Sequence, residues 1–290
     1  MGAMGRRVAG RLIDQGVSVT VWNRTVERTD AMRRLGASVA ATPSEAVADA
    51  DVAITMVAGP AELMEVIAAG GGALEGLHAG QALIEMSTVG PTAVRETFAL
   101  LPSGVEAVDA PVLGSISEAE QGILRIFAGG TQDAYVFVRP ILELLGNPMH
   151  VGSVGMGAAA KLVANGALLG TLSLLGELVV LGRRLGISQD VLFDVLSATP
   201  MAAQSERRRD EPLGSSGPVR FRLGLAGKDA GLLSGEGAHL GLDLPVLAAA
   251  ASWFQAAVEA GTGDEDYSRV LRVIGAQSGD GKVEPRRPHR

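Results

Sequence analysis

A chain of 290 residues, 47% hydrophobic and 20% charged, is long enough to bury a large core in one big domain or two. The absence of cysteine excludes disulfides, a thiol nucleophile and thiolate metal sites, and the four histidines, His78, His150, His239 and His289, show no ligand spacing, so no metal site is expected. A net charge of −7 argues against nucleic acid as the main partner.

The first stretch, MGAMGRRVAGRLIDQG, reads as a glycine turn opening a helix, with Val8, Ala9 and Leu12 on its inner face and Gly16 closing it. VSVTVWNRT then alternates as a strand. Glycine turn, helix, strand and polar tip in this order make most of a dinucleotide-binding unit, in which the backbone of Gly2, Ala3 and Met4 meets a pyrophosphate at the helix N-terminus. The fingerprint GxGxxG is incomplete. Gly2 and Gly5 fit its second and third glycines, while the first glycine, and the strand before it, would precede Met1. That strand would lie mid-sheet beside Val17–Trp22, and because every later motif is present, a native start upstream of Met1 is expected rather than a damaged polypeptide. No signal peptide is visible, since the segment after Arg6 and Arg7 is amphipathic, and a cytoplasmic protein is the default.

The tip of the strand carries the choice of cofactor. Where an NAD site places a carboxylate on the ribose hydroxyls, this chain has Asn23, Arg24 and Thr25. An Asp would repel a 2′-phosphate, whereas a guanidinium and a hydroxyl would hold it, so NADP is expected over NAD. The plain alternative for Arg24 is an exposed turn residue.

Helix and strand go on alternating. TPSE at Thr42–Glu45 is a capping box that starts a helix before the strand DVAITMV, whose end brings Met56 and Val57 to the cofactor side. A helix around Glu62–Ala69, the strand ALIEMS and the turn Ser87–Pro91 follow, and Ser87 and Thr88 either face the nicotinamide or cap the next helix. VEAVDAPVLGS reads as a strand running into a loop, then come a helical segment near Glu118, the strand ILRIFAGG, a helix over Asp133–Leu145 and the extended piece MHVG. After about residue 151 the strand signals stop, and Ala158 to about Ile274 reads as helices, with SERRRDEPLGSSG as a solvated loop. The reading is a Rossmann-like α/β domain over 1–151 lacking its first strand, an all-α domain over 152–275 and a disordered tail over 276–290.

The chemistry concentrates in GSVGMGAAAKLVANG. Strong helix formers from Ala158 put Lys161 and Asn165 four residues apart and therefore on one helix face. The helix runs on through LLGTLSLLGELVVLG with almost no polar face, which predicts burial on most sides; a membrane span over Leu162–Leu181 is disfavoured by Asn165, Thr171, Ser173 and Glu177. The chain has three lysines, Lys161, Lys228 and Lys282, against 22 arginines, and a lysine in apolar surroundings, unlike an arginine, can readily give up a proton and serve as an acid or base. The structural alternative is that Lys161 snorkels to the surface.

Together MGAMG, WNRT, STVGP, DAPVLGS, GMGAAAKLVAN and KDAGLL resemble, in order and over nearly the whole chain, the β-hydroxyacid dehydrogenase family. The resemblance implies an NADP-dependent oxidoreductase interconverting a small hydroxy acid and its aldehyde or keto form. Lys161 is then the catalytic lysine and Asn165 its helper, Lys228 closes on substrate and cofactor, Val112–Leu113–Gly114–Ser115 forms the substrate loop, and the helical domain builds a homodimer or homotetramer. The family loop usually reads DAPVSGG, so Leu113 removes a hydroxyl donor for the substrate carboxylate while the amides of Gly114 and Ser115 remain. An imine or other carbonyl reductase of the same architecture and a non-catalytic cofactor-binding or dimerisation module are the rival readings.

Overall fold

The computed structural model describes residues 1–210 and 218–276. The chain divides into two compact units, Met1–Ala164 and a second that begins at Asn165.

The first unit alternates helix and strand: α1 (Ala3–Asp14), β1 (Thr20–Val21), α2 (Asp30–Arg34), β2 (Ser38–Val39), α3 (Pro43–Val47), β3 (Val52–Thr55), α4 (Pro60–Ala68), β4 (Ala82–Glu85), α5 (Pro91–Phe98), β5 (Glu106–Asp109), β6 (Val112–Leu113), α6 (Ile116–Gln121), β7 (Leu124–Gly129), α7 (Gln132–Leu145) and β8 (Gly146–Gly152). β1 and β2 pair in parallel as a separate two-stranded sheet. The larger sheet runs β3-β4-β5-β7-β6 with β8 also on β7; β3, β4 and β5 are parallel, and β7 runs antiparallel to β5 and β6.

Burial follows the period of each element. On β4, Ala82 and Ile84 join a core with Val8 and Leu12 of α1 and Val138, Leu142 and Leu145 of α7, while Leu83 joins Leu63, Ile67, Val94 and Phe98 of α4 and α5. A central parallel strand covered on both faces is the signature of a three-layer Rossmann-like unit, and each fully buried Leu or Ile contributes about 1.5–3 kcal/mol. The inner face of α1 is the expected one, Val8, Ala9 and Leu12, and Gly16 after it adopts φ 80°. The strand expected over residues 17–25 pairs only at Thr20–Val21, because Val17 N–H instead closes the end of α1 on the Leu12 carbonyl and its partner β2 is equally short.

The second unit is all-helical among the described residues. α8 (Met156–Arg184) crosses the division and is followed by α9 (Gln189–Ser197), α10 (Ala202–Arg208), α11 (Leu223–His239), α12 (Pro245–Ala257) and α13 (Val270–Ala276). Leu169, Leu172, Leu175 and Val179 of α8 form one core with Phe193, Ala226, Phe254 and Ile274. Gly176 and Gly182 admit side chains where a Cβ would meet Ile274 Cδ1 at 2.8 Å and Leu192 Cδ1 at 2.6 Å, so close packing is written into the glycines.

Two expectations change here. α8 is long and apolar enough to cross a membrane by length and composition, yet it is not buried on most sides: it presents one buried stripe and leaves Val163, Leu174 and Leu181 exposed. The segment SERRRDEPLGSSG is not simply a solvated loop. Its first residues belong to α10, with Ser205 Oγ donating to the Phe193 carbonyl and buried Arg208 donating to Tyr267 Oη at 3.2 Å with its guanidinium 5.5 Å from the ring centre. Residues 211–217 lie outside the described residues, and so does the tail expected to be disordered over 276–290 except for Ala276, which ends α13.

Candidate active site

The carboxyl ends of the first unit's strands gather the cofactor candidates. Gly2 caps α1 in extended backbone with no side-chain hydrogen bond, and a Cβ there would meet nothing within 4 Å, so the first-turn N–H groups of Ala3 and Met4 are open to an anion. Gly5 packs beside Met56, whose Cβ would lie 3.8 Å from one added at Gly5, so the glycine turn and the end of β3 are neighbours. At the tip after β1, Trp22 Nε1 donates to the Ala41 carbonyl and Asn23 Nδ2 to the Thr25 carbonyl at 2.7 Å. Arg24 is exposed and pairs with Glu65 of α4 at 3.1 Å. Both halves of that pair are largely solvated, so it is weak and Arg24 can exchange Glu65 for a phosphate. Open amides, an approachable backbone and an exposed guanidinium fit a dinucleotide.

Ser87 has a structural task. Its Oγ accepts the Val57 N–H at 2.7 Å and its own N–H donates to Glu85 Oε1 at 2.5 Å, tying the ends of β3 and β4 together. It does not cap α5, whose N-cap is Gly90 at φ 84°; Thr88 beside it is half-buried. Thr55, Glu85, Asp109 and Gly129 stand in register across β3, β4, β5 and β7. Burial pushes Glu85 up to about 7, against the pull of its bonds to Ser87 and Thr55. Burial also pushes Asp109 up to about 6, opposed by the backbone N–H groups it accepts.

Those N–H groups belong to the start of α8. Gly155 N donates to Asp109 Oδ1 and Ala158 N to Oδ2, both at 2.7 Å, so the carboxylate caps the helix from another element. Contact this close needs glycine on both sides: a Cβ on Gly157 would sit 2.2 Å from the Phe127 carbonyl oxygen, and one on Gly129 2.5 Å from Asp109 Oδ1. One turn further on, Lys161 is 9% exposed, which rules out the snorkelling alternative, and on the next turn Asn165 is 1% exposed. Within the second unit Asn165 Nδ2 donates to Asp229 Oδ2 at 2.7 Å, and Lys228 Nζ lies 2.6 Å from Asp229 Oδ1. Asp229 thereby joins Asn165 to Lys228.

The substrate loop departs from expectation at one residue. Val112 and Leu113 form β6 against Ile126 and Arg125, and Gly114 takes φ 140°, where a Cβ would also meet Leu124 Cδ2 at 2.7 Å. Ser115, expected to offer its amide to a substrate carboxylate, instead caps α6: its N–H donates to Glu118 Oε2 at 2.9 Å and its hydroxyl at 2.5 Å. These bonds, with one from Ser117, hold Glu118 down at about 2. The signal was in the sequence, since Ser115–Glu118 is itself a capping box. Glu85, Asp109 and Asp229 were missed as site-building groups, because a carboxylate ending a strand or lying within a helix carries no mark of burial.

Comparison with known proteins decides what this frame belongs to. Residues 1–157 match the family model for the NAD binding domain of 6-phosphogluconate dehydrogenase, and residues 155–274 match the model described as NAD-binding of NADP-dependent 3-hydroxyisobutyrate dehydrogenase. The chain belongs to the β-hydroxyacid dehydrogenase family. Within that family it is 33% identical to glyoxylate/succinic semialdehyde reductase 1 of Arabidopsis thaliana, over 94% of this chain and 96% of that reductase. It is 28% identical to 2-(hydroxymethyl)glutarate dehydrogenase of Eubacterium barkeri, over 94% and 92% of the two chains. Among solved structures, 3-hydroxyisobutyrate dehydrogenase of Mycobacterium tuberculosis with L-serine superposes with a TM-score of 0.84 at 27% identity, covering 94% of this chain and 96% of that one. As a β-hydroxyacid dehydrogenase the chain is an NAD(P)-dependent oxidoreductase acting on CH–OH groups of hydroxy acids.

Proposed function

We propose that the protein reduces a small semialdehyde or keto acid with NADPH, Lys161 serving as the general acid. The observation that carries this reading is a scarce lysine, buried one turn into a helix whose start is fixed by Asp109, with Asn165 on the same face. Gly2, Ala3 and Met4 would hold the pyrophosphate, Asn23, Arg24 and Thr25 the ribose phosphate, and Met56, Val57, Ser87 and Thr88 the nicotinamide side. When bound, the nicotinamide supplies or accepts the hydride. Lys161 donates a proton to the forming alkoxide oxygen, and in the reverse direction, as the neutral amine, it removes the proton of the hydroxyl. Asn165 orients Lys161 or the substrate oxygen, while Lys228 and the backbone of Val112–Gly114 contribute to holding the acid group. Exposed Leu174 and Leu181 on one face of α8 support assembly as a homodimer or homotetramer.

Oxidation of NADPH and NADH with succinic semialdehyde, glyoxylate and a cyclic imine tests the reading. Turnover of the acids is expected, and turnover of the imine alone would reject hydroxy-acid chemistry in favour of an imine reductase, which Leu113 and the occupied Ser115 amide make the best rival. Arg24→Ala is expected to weaken NADPH more than NADH; equal effects would remove the case for phosphate recognition.

A further inference from the structure

We infer that Glu85 is the counter-charge of the oxidised nicotinamide: it keeps a proton while the reduced cofactor is bound and releases it to solvent when the ring becomes positive. The inference rests on the placing of the nicotinamide against the turns after β3 and β4 made above. Those turns are tied to one carboxyl group. Val57 N–H donates to the Ser87 hydroxyl at 2.7 Å, while Glu85 accepts the Ser87 N–H at 2.5 Å on one oxygen and the Thr55 hydroxyl on the other. Glu85 is completely buried, and both of these donors are neutral. Among the described residues no lysine, arginine or histidine forms an ion pair with it. An ionised carboxylate in such a place is costly until a cation arrives.

The surrounding elements supply none that is committed to it. On β4, Glu85 shares a face with Leu83, against α4, α5 and the start of α8. Of the charged groups on α4 and α5, Glu62 and Glu65 are acids, and Arg95 and Glu96 are exposed. Lys161 lies further along α8, and Asp109, in register on β5, is a second buried carboxyl group. Burial first, and then the charge of Asp109, push Glu85 up to about 7 against the pull of Ser87 and Thr55. Its proton is therefore held loosely enough for one added positive charge to displace it. The oxidised nicotinamide ring carries such a charge and the reduced ring does not, whereas the phosphates are common to both cofactor forms. Any response confined to the oxidised form is thus a response to the ring.

Calorimetric titration of the full chain with NADP+ and with NADPH, from pH 6 to 8.5 and in buffers of different ionisation enthalpy, decides it. Wild type, Glu85→Gln and Lys161→Met are compared. If the positive ring draws Glu85 down by about one pH unit, the ratio of the NADP+ Kd to the NADPH Kd is expected to fall about fivefold across that range in wild type. Near pH 6.5, NADP+ binding is expected to release about half a proton more than NADPH binding does. Both effects are expected to persist in Lys161→Met and to vanish in Glu85→Gln, whose amide fills the same space without titrating. A ratio independent of pH in wild type, one that still falls in Glu85→Gln, or one that is flat in Lys161→Met overturns the proposal. If Glu85→Gln does not fold, infrared difference spectra of the wild type replace it: the carbonyl band of a protonated, buried carboxyl group is expected to be lost on adding NADP+ and kept on adding NADPH, and a band that neither cofactor moves overturns the proposal. Failure of both cofactors to bind sinks the functional reading itself, while binding of both at a ratio that ignores pH sinks only the role of Glu85.

Discussion

Gly157→Ala sets two physical effects against each other at the start of the lysine-bearing helix. By helix propensity alone, alanine is favoured over glycine by about 1 kcal/mol. A Cβ at this position, however, would sit 2.2 Å from the Phe127 carbonyl oxygen, 2.4 Å from that of Asp109 and 2.9 Å from Asp109 Oδ2. The first two are backbone atoms of β7 and β5, so the helix start must retreat by about 1 Å to reach ordinary contact. That movement strains or breaks the 2.7 Å bonds from Gly155 and Ala158 to Asp109. Overpacking costs about 1–3 kcal/mol, and against unyielding backbone the upper figure applies. Net of propensity the loss is about 2 kcal/mol, or about 4–8 °C in Tm for a unit of this size. Lys161 rides on the next turn, and a displacement of about 1 Å costs about 100-fold in kcat. Gly170→Ala, whose Cβ would make an ordinary 3.9 Å contact with Leu247, is the control on the same helix and is expected to keep or raise Tm. Thermal unfolding and NADPH oxidation read both effects; a Gly157→Ala protein with wild-type Tm and kcat would refute the close-packing argument.

The buried carboxylates give stability a defined slope with pH. Glu85 at about 7 and Asp109 at about 6 both lie above their unfolded values, so between those values the native state holds protons that the unfolded chain has released. Stability is therefore expected to fall as pH rises from about 4 to about 7 and to level off above that, and Glu85→Gln should flatten the upper part of the slope, as read by urea denaturation across that range. An unchanged slope in Glu85→Gln would remove Glu85 from the account. Leu113→Ser restores the hydroxyl that the family loop carries and is expected to raise kcat/KM for succinic semialdehyde by about tenfold, one charge-assisted hydrogen bond's worth. No gain, measured against an uncharged aldehyde of similar size, would place the carboxylate elsewhere.

What the residues revealed in advance was whatever depends on neighbours in sequence. The inner face of α1 follows from the spacing of Val8, Ala9 and Leu12, and the cap at Thr42 from TPSE, whose Thr42 Oγ1 does accept the Glu45 N–H. Four residues between Lys161 and Asn165 sufficed to place both on one face of α8. Features set by distant partners stayed hidden. Asp109 reads as the polar end of a strand, and only the approach of residues 155–158 makes it a helix cap. Asp229 is buried by a bond to a residue 64 positions earlier. The exposed face of α8 had no polar mark, since Val163, Leu174 and Leu181 are as apolar as the residues packed inside. The Ser115 cap was written locally and was outweighed by the role that the family motif implies for that loop.

The most direct measurement is the steady-state rate of NADPH oxidation by Lys161→Met with succinic semialdehyde, taken together with its affinity for NADPH. A fall in kcat of about 1,000-fold with NADPH affinity within about threefold of wild type is expected if the buried amine transfers the proton. A kcat within a few-fold of wild type would contradict it.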